Sequence, residues 1–236
     1  MVTDNHIANS STAKRATELG LPLFTLEDVY HRITTGTLEC DVATSFVYWR
    51  KIKQPLLGYP KYGIINFHPA PLPEYRGTAG YNLAILNRLD RWSVTAHYVD
   101  KDIDTGGIID AFEFSIDSES ETAASLEATS QAFMLGLYRK TLNRVAKEGS
   151  LRAIENLGGR YVSRAQTEEM KQFSEGDDID RQIRAFWFPP YTGAFVEIAG
   201  VKYTLINEFI LKSLVPGGQT FQLPTTGTRS IPPAAP

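Results

Sequence analysis

"IINFHPAPLPEYRG" (residues 64–77) begins as a strand and then cannot remain one. Ile64 and Ile65 favour β structure, so the run reads as a buried strand. Side chains alternate along a strand, which puts Asn66 and His68 on one face and Phe67 on the other. Pro69, Pro71 and Pro73 cannot extend a ladder, so the strand ends at His68. An amide and an imidazole therefore stand side by side at a strand's carboxyl end, where open parallel sheets bind ligands. A plainer reading is that both side chains cap the strand and bond to backbone.

The chain has 236 residues, 42% of them hydrophobic, enough for one large domain or a domain with a smaller companion. Its formal net charge of −3 provides no global basic field, so no nucleic-acid partner is expected. Cys40 is the single cysteine, which excludes an internal disulfide and suits a reducing compartment. No apolar run approaches the roughly 20 residues of a membrane helix, and "MVTDNHIANSSTAKRATELG" lacks the apolar core of a secretory signal. A cytoplasmic protein without a membrane partner is expected. "LPTTG" (223–227) resembles a cell-wall sorting signal, but neither a spanning segment nor a basic tail follows it. "NSS" at Asn9 is a glycosylation sequon only in a secreted chain.

Helical and extended runs alternate along the chain. "STAKRATELG" reads as a helix capped by Ser11 and stopped at Gly20, "LPLFT" as a short strand, and "LEDVYHRITTG" as a helix. "CDVATSFVYW" and "GIINFH" read as strands, "GTAGYNLAILNR" as a helix, and "SVTAHYVD" and "IIDAFEFSI" as strands around the turn "KDIDTGG". A long amphipathic helix spans Glu121 to Gly149. This order predicts an α/β fold with a doubly wound, mostly parallel sheet over residues 1–150. A small β-rich domain is expected over 151–215, where "GGRYVS" reads as a loop and strand. "AQTEEMKQF" and "DIDRQIRAFWF" read there as helices, and "AFVEIAGVKYTLINEFIL" as two β-runs about Ala199-Gly200. The Pro-, Gly- and Thr-rich stretch 216–236 is expected to be a disordered tail.

"KDIDTGG" contributes a carboxylate, Asp104. An aspartic-protease half-site needs two Asp-Thr-Gly loops, and this chain has one. The other reading brings Asp104 beside the end of the "GIINFH" strand, where it would join Asn66 and His68. A histidine oriented by a carboxylate is a general base, and a neighbouring amide can stabilise an oxyanion. Together they suit acyl transfer without a covalent intermediate. Cys40 reads as core. His97, in "VTAHYVD", either lines the site or is a satisfied core histidine; His6 and His31 read as surface residues.

Asn-x-His, then Pro-x-x-Leu-Pro-x-Tyr-Arg-Gly, then Asp-Thr-Gly-x-Ile about forty residues on, resemble the folate-dependent formyltransferases. The resemblance runs from about Val2 to Ile210 and is most specific over 63–109. It implies a Rossmann-like fold, N10-formyltetrahydrofolate as cosubstrate, no metal, and a homodimer. It implies Asn66, His68 and Asp104 as the catalytic three. The pterin would lie against Tyr48, Trp49, Arg50, Lys51 and Ile52 and the loop Asp100, Lys101, Asp102 and Ile103. It also implies a strand, a Gly-containing turn and a helix ahead of "VTDNH", so the first βα unit is expected to be missing.

For the acceptor, "RQIRAFWFPPYTGAFVEI" resembles sugar-nucleotide N-formyltransferases, which act on dTDP-linked amino sugars. Arg181 and Arg184 would meet a diphosphate, and Trp187, Phe188 or Tyr191 would stack on a base or belong to the core. Arg76, Gly77, Tyr81 and His97 join the sugar-nucleotide side. "FHPAPLPEYRGTAGYNLAI" looks most like enzymes of dTDP-4-amino-4,6-dideoxyglucose, with the 3-amino isomer open. A methionyl-tRNA-type formyltransferase and an inactive folate- or nucleotide-binding remnant are the alternatives. In the leading reading Asp104 raises the His68 pKa above its ordinary value of about 6.5.

Overall fold

A computed structural model describes residues 1–2, 10–48 and 50–214. Trp49, His6, the Asn9 sequon and the stretch 216–236 with "LPTTG" lie outside the described residues. Helix α1 (Ser11–Glu18) is capped by Ser10, one residue earlier than expected, whose side chain accepts from the Ala13 N–H. It is followed by Gly20 at φ +67°, a left-handed stop that glycine adopts without strain. Helix α2 (Leu26–Thr34) carries a capping box between Thr25 and Asp28. "LPLFT" between them is not a strand. Its β-forming residues have no ladder among the described residues; the Phe24 N–H donates instead to the Met1 carbonyl at 2.9 Å.

The main sheet contains β1 (Ala43–Phe46), β2 (Ile64–His68), β4 (Arg91–Tyr98) and β5 (Ile108–Ser115), in that spatial order; β3 (Tyr75–Gly77) and helix α3 (Gly80–Leu86) lie between β2 and β4 in the chain. The α/β class is as the alternation of elements predicts. Within this sheet the expected parallel pairing holds for β1–β2, whereas β2–β4 and β4–β5 are antiparallel. The short segment 99–107 leaves too little chain for a crossover, so β5 must return beside β4 in the opposite sense.

Pleating sorts the side chains of the sheet. Ile65 and Phe67 from β2 and Trp92, Val94 and Ala96 from β4 join Leu126, Met134, Leu137 and Val145 of α4 (Ala123–Glu148) in one buried cluster. With the buried Ser130 and Thr141 between them, those helix positions recur every three or four residues, which makes a single buried stripe. Phe133 stacks between Phe112 and Phe114, with ring centroids 4.9 and 4.4 Å away. The same pleat turns Asn66, His68, Thr95 and His97 to the opposite face.

Beyond residue 150 the chain returns across that second face. Strand β6 (Arg160–Val162) pairs in parallel with β3, an association absent from the sequence reading. Helices α5 (Arg164–Glu169) and α6 (Ile179–Ala185) follow, and Ile85 of α3 shares a buried cluster with Ala185, Phe186 and Ala194. Strands β7 (Phe195–Ile198) and β8 (Val201–Thr204) form the expected hairpin, with Ala199 at φ +51° and Gly200 at φ +77° as in a type I′ turn. "NEFIL", expected to be extended, is instead helix α7 (Glu208–Ser213). Asn207 accepts the Ile210 N–H at 2.9 Å, a cap signal that outweighs the β-forming Phe and Ile in so short an apolar run. No described helix is long and apolar enough to cross a membrane.

Adjacent positions of α4 test this packing. Met134 is fully buried, whereas Leu135 is 44% exposed. Met134→Ala is expected to lower unfolding stability by about 2–4 kcal/mol and Leu135→Ala by less than about 1 kcal/mol. Denaturant titration reads both. Equal losses would show that the helix presents a different face to the sheet.

Candidate active site

Asn66 and His68 stand on the second face of β2, opposite His97 and Thr95 of β4 in the register. His68 is 6% exposed and His97 is 2% exposed. A carbonyl oxygen can only accept, which fixes the ring hydrogens. His68 donates from Nε2 to the Tyr75 carbonyl at 2.7 Å, so its Nδ1 lone pair remains for a proton. His97 donates from Nδ1 to the Tyr98 carbonyl at 2.7 Å, and its Nε2 accepts from Asn66 Nδ2 at 3.0 Å. Asn66 is thereby held by one N–H while its amide retains a second. His97 is therefore buried and satisfied, and it also holds Asn66.

Asp104 completes the group by an indirect route. Antiparallel pairing makes β4 leave at the Ile65 end of β2, not at the His68 end, so the loop after it must fold back over the sheet face. Asp104 takes φ +56°, a left-handed conformation that aspartate tolerates better than most residues. Gly106 passes so close to the Tyr98 carbonyl oxygen that a Cβ would overlap it. The Asp104 carboxylate then lies 3.6 Å from His68 Nδ1 through Oδ2 and 3.6 Å from His97 Nε2 through Oδ1. Its Oδ2 also accepts the Gly77 N–H at 3.0 Å. Gly77 itself has φ +91°, and a Cβ there would run into the Val162 carbonyl. Asn156, which no motif singled out, donates from Nδ2 to the carbonyls of Asp104 and Gly106 at 3.0 and 2.9 Å.

Burial drives the His68 imidazole below its ordinary pKa, and Asp104 and the Tyr75 carbonyl recover only part of that loss. The raised value expected from the sequence is therefore corrected, because desolvation outweighs the neighbouring charge. For Asp104 burial pushes upward, but His97 and His68, which favour the carboxylate when either ring is protonated, and the donating Gly77 amide hold the carboxyl below the usual carboxylate range. A carboxylate kept ionised beside a histidine kept neutral is an acid–base pair ready to take a proton.

The two loops expected to receive a pterin approach one another. Lys51 Nζ lies 3.8 Å from Asp102 Oδ1. Asp100 shapes the second loop, its Oδ1 accepting from the Asp102 N–H at 3.1 Å and the Thr105 hydroxyl at 2.6 Å. Tyr48 and Ile52 are half-buried, while Arg50, Lys101 and Ile103 are exposed. Val47, just past β1, is at φ +53°, an outlying conformation for a β-branched residue.

The residues expected on the sugar-nucleotide side divide. Gly77 reaches the site through its amide, and Arg76 donates to the Gly159 carbonyl at 3.1 Å. Tyr81 packs over Trp92 at the edge of the core, with ring centroids 6.3 Å apart, and burial raises its hydroxyl pKa. Arg181 and Arg184 have side chains only 6% and 5% exposed. Arg181 bonds Asp178, Glu119 and the Ile85 carbonyl; Arg184 bonds Asp180 and the carbonyls of Ser118 and Glu121. Their expected diphosphate role is replaced by a structural one, because a buried guanidinium must be paired where it lies. Trp187 is half-buried and accepts the Ala124 N–H at its carbonyl. Phe188 and Tyr191 pair their rings at 5.8 Å, with Tyr191 exposed. Among the described residues no group of three or more His, Cys, Asp or Glu is placed to hold a metal ion.

Comparison with known proteins places this geometry. Residues 28–140 match the family model described as formyl transferase, a span that contains Asn66, His68 and Asp104. The chain resembles an N-formyltransferase from Helicobacter canadensis solved with folinic acid and dTDP-3-aminofucose, at 25% identity and a TM-score of 0.67, over 83% of this chain and 71% of that one. A sugar 3N-formyl transferase solved with dTDP and 5-N-formyl-THF has the same identity and TM-score, over 85% and 71%. A 4-N formyltransferase from Francisella tularensis shares the fold at 21% identity and a TM-score of 0.69, over 84% and 81%. An Asn-x-His strand end and an Asp-Thr-Gly loop converge inside residues 28–140, the span over which the chain matches the formyl transferase family.

Proposed function

We propose that this formyltransferase carries the formyl group of N10-formyltetrahydrofolate to the amine of a dTDP-linked amino-dideoxy sugar, in the cytoplasm and as a homodimer. The observation that carries the reading is the group formed by the buried His68 and His97 with the partly buried Asn66 and Asp104, within a chain that resembles two enzymes solved with folates and dTDP ligands. The sugar amine attacks the formyl carbon, forming the new C–N bond. The second N–H of Asn66 donates to the oxyanion that develops. His68 accepts the amine proton at Nδ1, where the resulting imidazolium faces the Asp104 carboxylate. Collapse breaks the bond to N10, which leaves with the proton that His68 took from the amine, returned with the help of Asp104. The loops 48–52 and 100–103 would receive the pterin, and Phe188 and Tyr191 offer aromatic faces to a base.

The stretch "FHPAPLPEYRGTAGYNLAI" supports dTDP-4-amino-4,6-dideoxyglucose as the acceptor. The two relatives at 25% identity favour a second reading, a 3-amino sugar. Incubation with N10-formyltetrahydrofolate and each sugar nucleotide, followed by mass spectrometry, decides between them: a formamido product from the 4-amino sugar alone is expected. Product from the 3-amino sugar alone would establish the second reading, and product from neither would sink the proposal.

Loss of either polar group on β2 should affect chemistry more than binding. His68→Ala and Asn66→Ala are each expected to lower kcat by roughly two to three orders of magnitude, with sugar KM within about threefold. Near-normal kcat in either variant would remove that residue from the mechanism.

The pH dependence follows from the direction of the His68 shift. Its proton-accepting neutral form persists below the ordinary titration point, so the acid limb of kcat should lie below about pH 6.5. Asp104 favours the protonated form; Asp104→Asn should move that limb lower still and reduce the plateau. Rate profiles of both proteins check this, and an unmoved limb would show that Asp104 does not govern the charge on His68.

A further inference from the structure

The segment 151–162 lies outside the family-model match, yet it is bonded both to the loop that carries Asp104 and to the stretch 74–78 that carries the Gly77 amide. At one end the Leu151 N–H and carbonyl both meet the Tyr98 hydroxyl, at 2.8 and 3.0 Å. Ile154 and Ile108 exchange backbone hydrogen bonds at 2.9 Å. At the other end the Arg160 N–H donates to the Glu74 carbonyl at 3.0 Å, and β6 pairs with β3. Gly159 passes so close to the Pro73 carbonyl that a Cβ would overlap it. Asn156 sits between these ends, 6% exposed, with its amide divided between two carbonyls of the catalytic loop.

One of those carbonyls belongs to Asp104, whose left-handed backbone aims its carboxylate at His68 and His97. Left-handed geometry is disfavoured for a non-glycine residue and persists only where its surroundings impose it. Alternatives in which the loop relaxes away from the sheet would leave the Asp104 and Gly106 carbonyls and the Asn156 amide to find other partners. Two hydrogen bonds from one buried side chain to alternate carbonyls therefore hold the loop in a single conformation. Among the described residues the Asn156 Oδ1 is buried without a hydrogen-bond partner, so the side chain's hydrogen bonds there are its two donor bonds.

We propose that Asn156 is a positioning residue for formyl transfer, fixing the Asp104–Gly106 loop so that the Asp104 carboxylate meets His68, His97 and the Gly77 amide. It need touch neither substrate. The kinetic part of this inference rests on the proposed reaction, whereas its geometric part can be read in the unliganded protein.

The Gly77 N–H reports the carboxylate directly, because its partner is Asp104 Oδ2. Amide hydrogen exchange is measured on the full chain for wild type, Asn156→Ala, Asn156→Ser and Asp104→Ala. Exchange at Gly77 should accelerate about tenfold or more in Asn156→Ala and in Asp104→Ala. The Thr78 amide, bonded to the Val162 carbonyl, should remain protected in both. Asn156→Ser, which can reach only one carbonyl, should show a smaller change in the same direction, and it is the variant read if the alanine protein does not fold. Protection of Gly77 retained in the folded Asn156 variants, while Asp104→Ala abolishes it, would overturn the proposal.

The kinetic arm asks whether the two residues act together. Asn156→Ala should lower kcat by about 10- to 100-fold with both KM values within about threefold, and should add little to Asp104→Asn. Additive losses would mean that Asn156 does not act through Asp104, and would overturn the proposal as well. A wild-type protein without formyl transfer would overturn the proposed reaction, and the exchange measurement would still decide the positioning role.

Discussion

The site depends on one carboxylate held where a carboxylate is costly to keep. Burial favours the neutral acid at Asp104, and two imidazoles and the Gly77 amide together reverse that preference. Each partner is delivered by a different constraint. His68 and His97 arrive by strand alternation, the Gly77 amide by a backbone turn that excludes a Cβ, and Asp104 by a left-handed residue in a folded-back loop. The charge is therefore stabilised by geometry that the surrounding chain must supply before any substrate binds, which is the physical content of preorganisation.

How much of this was legible in the sequence follows the range of each interaction. The "IINFH" strand, its alternation and its proline stop are local, and the structure has them as read. The Ala199-Gly200 hairpin is local too, because its turn chemistry is contained in two residues. The pairing of β3 with β6 joins residues more than eighty positions apart through backbone groups that carry no sequence signature. Asn156 was invisible for the same reason: its coil has no periodicity, and its partners are carbonyls. The helix at 208–213 is hard to read because a short apolar run has no clear period, and its local signal is the capping Asn207.

The two arginines illustrate a different limit. Arg181 and Arg184 lie three apart on a short helix, a spacing that suits an anion, and the sequence gives no warning that the helix packs them inward. Glu119, Asp178 and Asp180 surround them instead, tying α6 to the turn before α4. Whether an arginine serves a ligand or the fold depends on which acidic groups tertiary structure brings near it. That information is spread over sixty residues of chain.

The return of β6 to β3 also bears on how the protein acquires activity as it is made. Strand β2 and its Asn66 and His68 can form early from local contacts, whereas the Arg76–Gly159 bond closes a separation of 83 residues. Closing so long a loop costs entropy before any contact rewards it, and such contacts therefore form late. A growing chain would carry Asn66 and His68 on their strand well before the segment that holds the Asp104 loop had been synthesised. The complete arrangement would come with the last closure, so an unfinished chain would hold Asn66 and His68 without the loop that faces them.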